Sequence, residues 1–106
     1  MIKKFNIKIP LPFEDSFNLL CESGGNITTW KTSRTDSKEG FIEWKQSLFS
    51  LTGSATIIAQ LKKTEKEETS VDIVVQKPVQ FIDPLRICDR VFKKLDKAWR
   101  KTLNNQ

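Results

Sequence analysis

Apolar and polar residues alternate in five segments of the chain, and this period of two is typical of a strand with one buried face. In the first segment Phe5, Ile7 and Ile9 alternate with polar residues, and Pro10 and Pro12 end the strand because proline cannot donate to a ladder. Four more strands are predicted at NITTWKTS (26–33), GFIEWKQS (40–47), SATIIAQLK (54–62) and TSVDIVVQK (69–77). The residues of these four strands that we expect to face the core are Thr28, Trp30, Thr32, Ile42, Trp44, Gln46, Ala55, Ile57, Ala59, Leu61, Val71, Ile73 and Val75.

The segments between these strands are assigned by composition. RTDSKEG (34–40) is predicted to be an exposed hairpin loop, and KKTEKEE (62–68) a charged turn. LFSLTG (48–53) is apolar but ends in turn residues, and we interpret it as a continuing strand or a bulge.

Two segments have helical periodicity. FEDSFNLLCES (13–23) places Phe13, Phe17, Leu20 and Cys21 on one face, and Gly24-Gly25 supplies a stop. The second helix is predicted from Pro84 to Leu103, with Asp83 as its cap, and would be about 30 Å long. Its apolar half is wide enough to lie across a sheet and comprises Leu85, Ile87, Cys88, Val91, Phe92, Leu95, Ala98, Trp99 and Leu103.

The element order is strand, helix, four strands, long helix. A run of consecutive strands pairs antiparallel, and both helices must cover one apolar face. We therefore predict a single α+β domain over residues 1–106, a two-layer sandwich in which a long C-terminal helix grips a curved antiparallel sheet (β-α-β-β-β-β-α).

With PFEDSFNLLCESGG, the hairpin NITTW…GFIEWKQS and DPLRICDRVFKKLDKAWRK in this order, the chain resembles a compact START-like helix-grip domain. It also resembles one half of the TATA-binding-protein fold. The helix-grip resemblance implies a ligand site between sheet and helix.

Composition narrows the function classes. No apolar run approaches the roughly 18 residues of a membrane span, and two cysteines are too few for a disulfide framework, so we expect a reduced cytoplasmic protein. The chain has no histidine, which is the commonest general base and metal ligand, and no phosphate-binding glycine loop. We expect no catalysis, no metal and no cofactor. Cys21 and Cys88 are interpreted as small buried hydrophobes that could approach each other, and Asp72 as solvated.

The three tryptophans have two interpretations. In one, they only fill a small core, with a partner for each indole N–H. In the other, they line a cleft between sheet and long helix that holds a small apolar ligand, with Gln46 and Thr32 as polar groups. The residues of this candidate ligand site are Trp30, Ile42, Trp44, Gln46, Phe92 and Trp99.

The excess positive charge of +5 is concentrated in the long helix, where seven bases occupy one arc opposite the apolar face. Asp89 and Asp96 are spaced to pair with Lys93 and Arg100 four residues later. This arc is either a solvated back face or a surface for an acidic partner, which would be an acidic protein or the backbone of a nucleic acid. The bases assigned to that second interpretation are Arg86, Arg90, Lys94, Lys97 and Lys101.

Overall fold

Five strands and two helices are present in the computed structural model, which describes residues 2–47, 53–77 and 86–105. In chain order they are β1 (Ile2–Ile9), α1 (Phe13–Gly25), β2 (Trp30–Asp36), β3 (Phe41–Gln46), β4 (Ala55–Glu65), β5 (Glu68–Gln76) and α2 (Ile87–Asn104).

The strands form one antiparallel sheet in the order β1-β5-β4-β3-β2. Strands β2 to β5 are successive neighbours. Strand β1 pairs with β5, and α1 carries the chain from β1 at one edge of the sheet to β2 at the other. The alternation predicted for β3, β4 and β5 is confirmed, since every inner position named for these strands is buried. Both helices lie on that inner face, so the predicted α+β sandwich with a long C-terminal helix is the observed fold.

The start of β2 was predicted four residues too early. Residues 26–29 form turns because their backbone groups complete the end of α1: the Asn26 amide donates to the Glu22 carbonyl at 3.1 Å, and the Ile27 amide donates to the Gly24 carbonyl at 3.2 Å. The strand begins only at Trp30. Of the three predicted inner positions, Trp30 alone is buried, while Thr28 and Thr32 are exposed on this edge of the sheet.

The two hairpin connections are shorter than predicted. Strand β2 continues to Asp36, so the exposed loop is reduced to residues 37–40, and a register shift between Thr32 and Arg34 leaves Ser33 as the extra residue of a bulge. Strands β4 and β5 pair as far as Glu65 and Glu68, so the charged turn comprises only residues 66–67. The strand or bulge predicted at 48–53 lies outside the described residues except for Gly53.

Helix α2 begins at Ile87, three residues after the predicted first residue. Arg86 precedes it in the left-handed region (φ 52°), and its carbonyl accepts the first helical hydrogen bond, from the Arg90 amide at 3.0 Å. The predicted cap and first residue, positions 83–84, and the inner position 85 lie outside the described residues. The predicted inner face is confirmed for its central residues, of which Cys88, Val91, Leu95 and Trp99 are buried.

The core lies between the inner face of the sheet and the two helices. Helix α1 contributes Phe17, Leu19 and Leu20, of which Leu19 was not on the predicted apolar face. No helix among the described residues is long and apolar enough to cross a membrane.

Candidate functional site

Trp30 and Trp44 lie side by side on the inner face near the β2 edge. Their ring centroids are 5.5 Å apart and the rings are tilted by 40°. In the strand register Trp30 lies opposite Gln46 and Trp44 opposite Thr32, so the two indoles are diagonal neighbours. The two rings are therefore close neighbours, although the residues are not directly opposite each other in the register.

Gln46 is a buried polar residue at the centre of this region. Its Oε1 accepts a hydrogen bond from Trp30 Nε1 at 2.8 Å and another from Lys94 Nζ at 3.0 Å, and its Nε2 donates to the Gly53 carbonyl at 2.6 Å. The side-chain amide of Gln46, at the end of β3, thus connects this strand to β2, to α2 and to Gly53 before β4. A buried polar group that uses both amide atoms in this way is held in one orientation.

Trp44 is fully buried, and its Nε1 has no hydrogen-bond acceptor among the described residues. The indole packs against the last turn of α1 at Gly24, where a Cβ atom would lie 2.6 Å from Trp44 Cζ2 and closer still to Nε1. The indole can occupy this position because residue 24 has no side chain. The region therefore contains one donor that the described protein atoms leave unpaired.

Lys94 departs from the predicted arc of outward-facing bases. Its side chain is half-buried and turns inward to Gln46, and burial, followed by the charge of Arg90, lowers the pKa of the lysine below its ordinary value. Burial disfavours the ammonium form because a charge loses hydration when it leaves water. The outer arc is interrupted at this residue.

A cleft of about 390 Å³ lies where Lys94 turns inward, between the end of α1 and the second half of α2. The backbone of its α1 side continues directly into the tryptophan region, because the Trp30 amide donates to the Ile27 carbonyl at 3.0 Å. The residues that line the cleft are Glu22, Asn26, Ile27, Lys94, Lys97, Ala98, Lys101, Thr102 and Asn105.

Phe92 and Trp99, the other aromatic members of the predicted ligand site, lie on the opposite flank of α2. Phe92 stacks on Phe5 of β1 with centroids 4.2 Å apart and rings parallel within 1°. Trp99 is buried, donates from Nε1 to Asp96 at 3.0 Å and carries the Arg100 guanidinium 4.7 Å above its ring. The structure thus brings together Trp30, Trp44 and Gln46, with Ile42 buried on the same strand face, and separates Phe92 and Trp99 from them.

Two of the five bases assigned to an acidic partner already have partners within the chain. Arg86 pairs with Asp89 at 2.8 Å, and Lys94 donates to Gln46. The predicted pair between Asp89 and Lys93 is wrong, because Asp89 instead binds Lys3 of β1 at 2.7 Å. The predicted pair between Asp96 and Arg100 is confirmed at 3.3 Å. The arc of bases on α2 is therefore less continuous than predicted. Arg90, Lys97 and Lys101 remain exposed along it.

Within the described ranges, no catalytic arrangement involves the two cysteines or the outward-facing carboxylate of Asp72. Neither cysteine forms a disulfide bond in the described part of the chain, Cys88 is buried, and burial raises the pKa of the half-buried Cys21. Asp72 lies on the outer face as predicted, and a hydrogen bond from Asn6 is the main cause of its lowered pKa. No group of three metal-ligating side chains occurs in the part of the chain that the structure describes.

A curved antiparallel sheet closed by a long C-terminal helix defines the class of the protein as a helix-grip fold. The chain is similar to Ara h 8.0201 (9% identity, TM-score 0.64, 96% of this chain and 95% of that one). It is similar to an uncharacterized protein from Bacillus thuringiensis (13%, 0.65, 97% and 96%) and to the Zhui aromatase/cyclase from Streptomyces sp. R1128 (8%, 0.61, 99% and 92%). No protein-family model and no curated protein matches the chain.

These similarities concern the fold alone, because all three identities are at or below 13%. The helix-grip resemblance predicted from the sequence is confirmed at that level, whereas the resemblance to half of a TATA-binding protein finds no support. An aromatase/cyclase has a similar fold, so the fold is compatible with catalysis. The expectation of a non-catalytic protein gains no support from it.

Sequence reasoning missed the residues at the end of α1 that border the cleft. Asn26 and Ile27 were assigned to a strand, and Glu22 was assigned no role. A signal was available in Gly24-Gly25 followed by asparagine, which is typical of a helix end. Nothing in the local pattern indicated that this helix end would lie against α2.

Proposed function

We propose that the protein is a binding module for a small, largely apolar molecule held beside the C-terminal helix. The observation that carries this proposal is a cleft of about 390 Å³ whose lining residue Lys94 is hydrogen-bonded to Gln46, which in turn accepts from Trp30. Small-molecule sites occupy cavities of roughly 300–1,000 Å³ and orient their ligand through a few fixed polar groups. The cleft has a volume in this range, an apolar contact surface at Ile27 and Ala98, and in Lys94 a polar group that is held by Gln46.

The position of the ligand follows from the burial of the tryptophans. Trp44 and Ile42 are fully buried, so a ligand at their level would have to displace core side chains. We therefore place the ligand in the cleft, against Ile27 and Ala98, where Lys94 forms the inner wall and is held from behind by Gln46. Ile42 and Trp44 support that wall from the core. This narrows the candidate site to the β2–β3 flank of α2 and leaves Phe92 and Trp99 with packing roles.

The helix-grip fold is compatible with ligand binding, but it supports the proposal less than the cleft does. Proteins with this fold include an aromatase/cyclase. Because proteins of one fold carry unrelated functions, the support for ligand binding here is the cleft and its polar groups.

The test has two parts. Native mass spectrometry of the purified protein shows whether a small molecule co-purifies. A titration with the uncharged fluorescent probe N-phenyl-1-naphthylamine, excited through the tryptophans, measures binding directly. Replacement of Ala98 by leucine fills the cleft and is expected to abolish probe binding. Lys93→Leu adds the same side chain to the opposite flank of α2 and is expected to leave binding unchanged.

Thermal melting of both variants shows whether they are folded. The proposal fails if the folded wild-type protein neither binds the probe nor retains a molecule. It fails equally if Ala98→Leu melts like the wild type and still binds the probe with the same affinity.

A further inference from the structure

The side of the cleft formed by α2 carries three lysines in a row. Lys94, Lys97 and Lys101 are spaced by three and four residues, so they follow one another along the same flank, one turn apart. Ala98 lies between them and its short side chain leaves the space open. Like charges at this spacing repel one another, and in the described part of the chain neither Lys97 nor Lys101 forms an ion pair.

The opposite wall of the cleft does not neutralise these charges. Among the described residues the single acid on this wall is Glu22, which lies farther than ion-pair distance from Lys97 and Lys101. The remaining groups on this wall are the Asn26 amide and the apolar side chain of Ile27. The cleft therefore combines a strip of ammonium groups with an apolar surface.

Lys94 occupies the inner end of this strip. Its Nζ is half-buried beside Gln46 Oε1, and the removal of water lowers its pKa. An anionic group close to this lysine would offset the loss of hydration, because an opposite charge stabilises the ammonium form. Lys97 and Lys101 are exposed at the outer end, where they are able to attract an anion from solution.

From this arrangement we infer that the ligand of the cleft is an amphipathic anion: a small apolar molecule with one carboxylate or sulfonate group. The apolar part lies against Ile27 and Ala98, and the anionic group binds the lysine strip. This inference rests on the proposed function and specifies its ligand class. It also assigns the lysines of α2 to a small ligand, in contrast to the acidic macromolecule considered from the sequence.

The experiment compares two fluorescent probes with the same aromatic body. 8-Anilinonaphthalene-1-sulfonate carries a sulfonate, and N-phenyl-1-naphthylamine does not. We expect the sulfonate probe to bind the full chain about tenfold more tightly than the neutral probe. The double variant Lys97→Gln/Lys101→Gln is expected to remove about tenfold of the affinity for the sulfonate probe and to leave that for the neutral probe within about twofold.

A matched control removes the same charge elsewhere. Lys4→Gln/Lys63→Gln changes two exposed lysines on strands β1 and β4, away from the cleft, and is expected to leave both probes unaffected. Competition by decanoate and by decanol, which differ in the carboxylate, repeats the comparison with an aliphatic ligand. Decanoate is expected to displace the sulfonate probe at a lower concentration than decanol.

The outcomes separate this inference from the proposed function. If both probes bind equally and are both excluded by Ala98→Leu, the binding module stands and the anionic ligand class is overturned. Equal weakening of the sulfonate probe by the two double variants also overturns it, since the effect would then be one of overall charge. If neither probe binds the wild-type protein, the proposed function itself is overturned.

Discussion

Replacing Gly24 with alanine would place a methyl group where the indole of Trp44 already lies. The new Cβ would be 2.6 Å from Trp44 Cζ2 and nearer to Cε2 and Nε1, whereas carbon atoms in favourable contact are about 3.5–4.0 Å apart. The ring or the last turn of α1 would have to move by more than about 1 Å to restore this separation. Trp44 is fully buried and packs beside Trp30, so the ring has little space into which to move.

Gly25 is the matched control for this substitution. It is the next residue of the same helix, and a Cβ there meets no atom within 4 Å. Alanine is favoured over glycine in a helix by up to about 1 kcal/mol. Both residues lie at the helix end, so each variant gains a similar part of this free energy. The difference between Gly24→Ala and Gly25→Ala therefore isolates the steric clash.

We expect Gly24→Ala to be less stable than Gly25→Ala by about 1–3 kcal/mol, the usual cost of inserting a methyl group into a packed core. For a domain of this size the difference corresponds to a fall in Tm of roughly 5–15 °C. Thermal and urea unfolding, followed by circular dichroism and by tryptophan fluorescence, measure it.

A double-mutant cycle assigns the clash to the indole. In a Trp44→Phe background the smaller ring leaves space for the new methyl group, so Gly24→Ala is expected to cost at least about 1 kcal/mol less than in the wild type. A Gly24→Ala protein that melts at or above the temperature of Gly25→Ala would refute the proposed packing of Trp44 against the end of α1.

Three further predictions concern the polar network, the start of α2 and the thiols. Gln46→Leu leaves the buried Trp30 N–H without its acceptor and is expected to destabilise the fold by about 1–3 kcal/mol in urea unfolding; an unchanged midpoint would contradict the network. The hydrogen bond from Lys3 lowers the pKa of Asp89 in the folded state. The stabilisation that this pair provides is therefore present above the ordinary aspartate pKa of about 3.9, and it is lost as the pH falls through the lower pKa of the folded state. Asp89→Asn should therefore lower the Tm at pH 7, and its Tm should approach that of the wild type as the pH falls below the ordinary carboxyl pKa. A gap that is independent of pH would refute this assignment. Iodoacetamide at pH 7.5 should alkylate Cys21 more slowly than free cysteine, because burial raises its thiol pKa, and Cys88 only on unfolding, as peptide mass spectrometry would show; equal rates for the two thiols would contradict their burial.

The candidate site was only partly predictable, and the reason is visible in its residues. Gln46 and Trp44 could be placed on the inner face because alternation along β3 determines which side chains point toward the core. The hydrogen bond from Lys94 to Gln46 joins residues 48 positions apart, and nothing near Lys94 in the chain distinguishes it from the exposed lysines around it. The same holds for Gly24, whose contact with Trp44 depends on how α1 lies on the sheet.

The sequence by itself determined the kind and order of the elements and the buried face of most of them, because the periodicity of apolar residues is a local property of each segment. Tertiary structure alone decided that β1 lies beside β5, that β2 starts at Trp30, and that the end of α1 borders α2. These features arise from hydrogen bonds and contacts between distant segments: the backbone groups after α1 complete the helix, although their sequence alternates like a strand. The cleft lies between two helices, so its lysines became a site only when the fold brought the end of α1 opposite them.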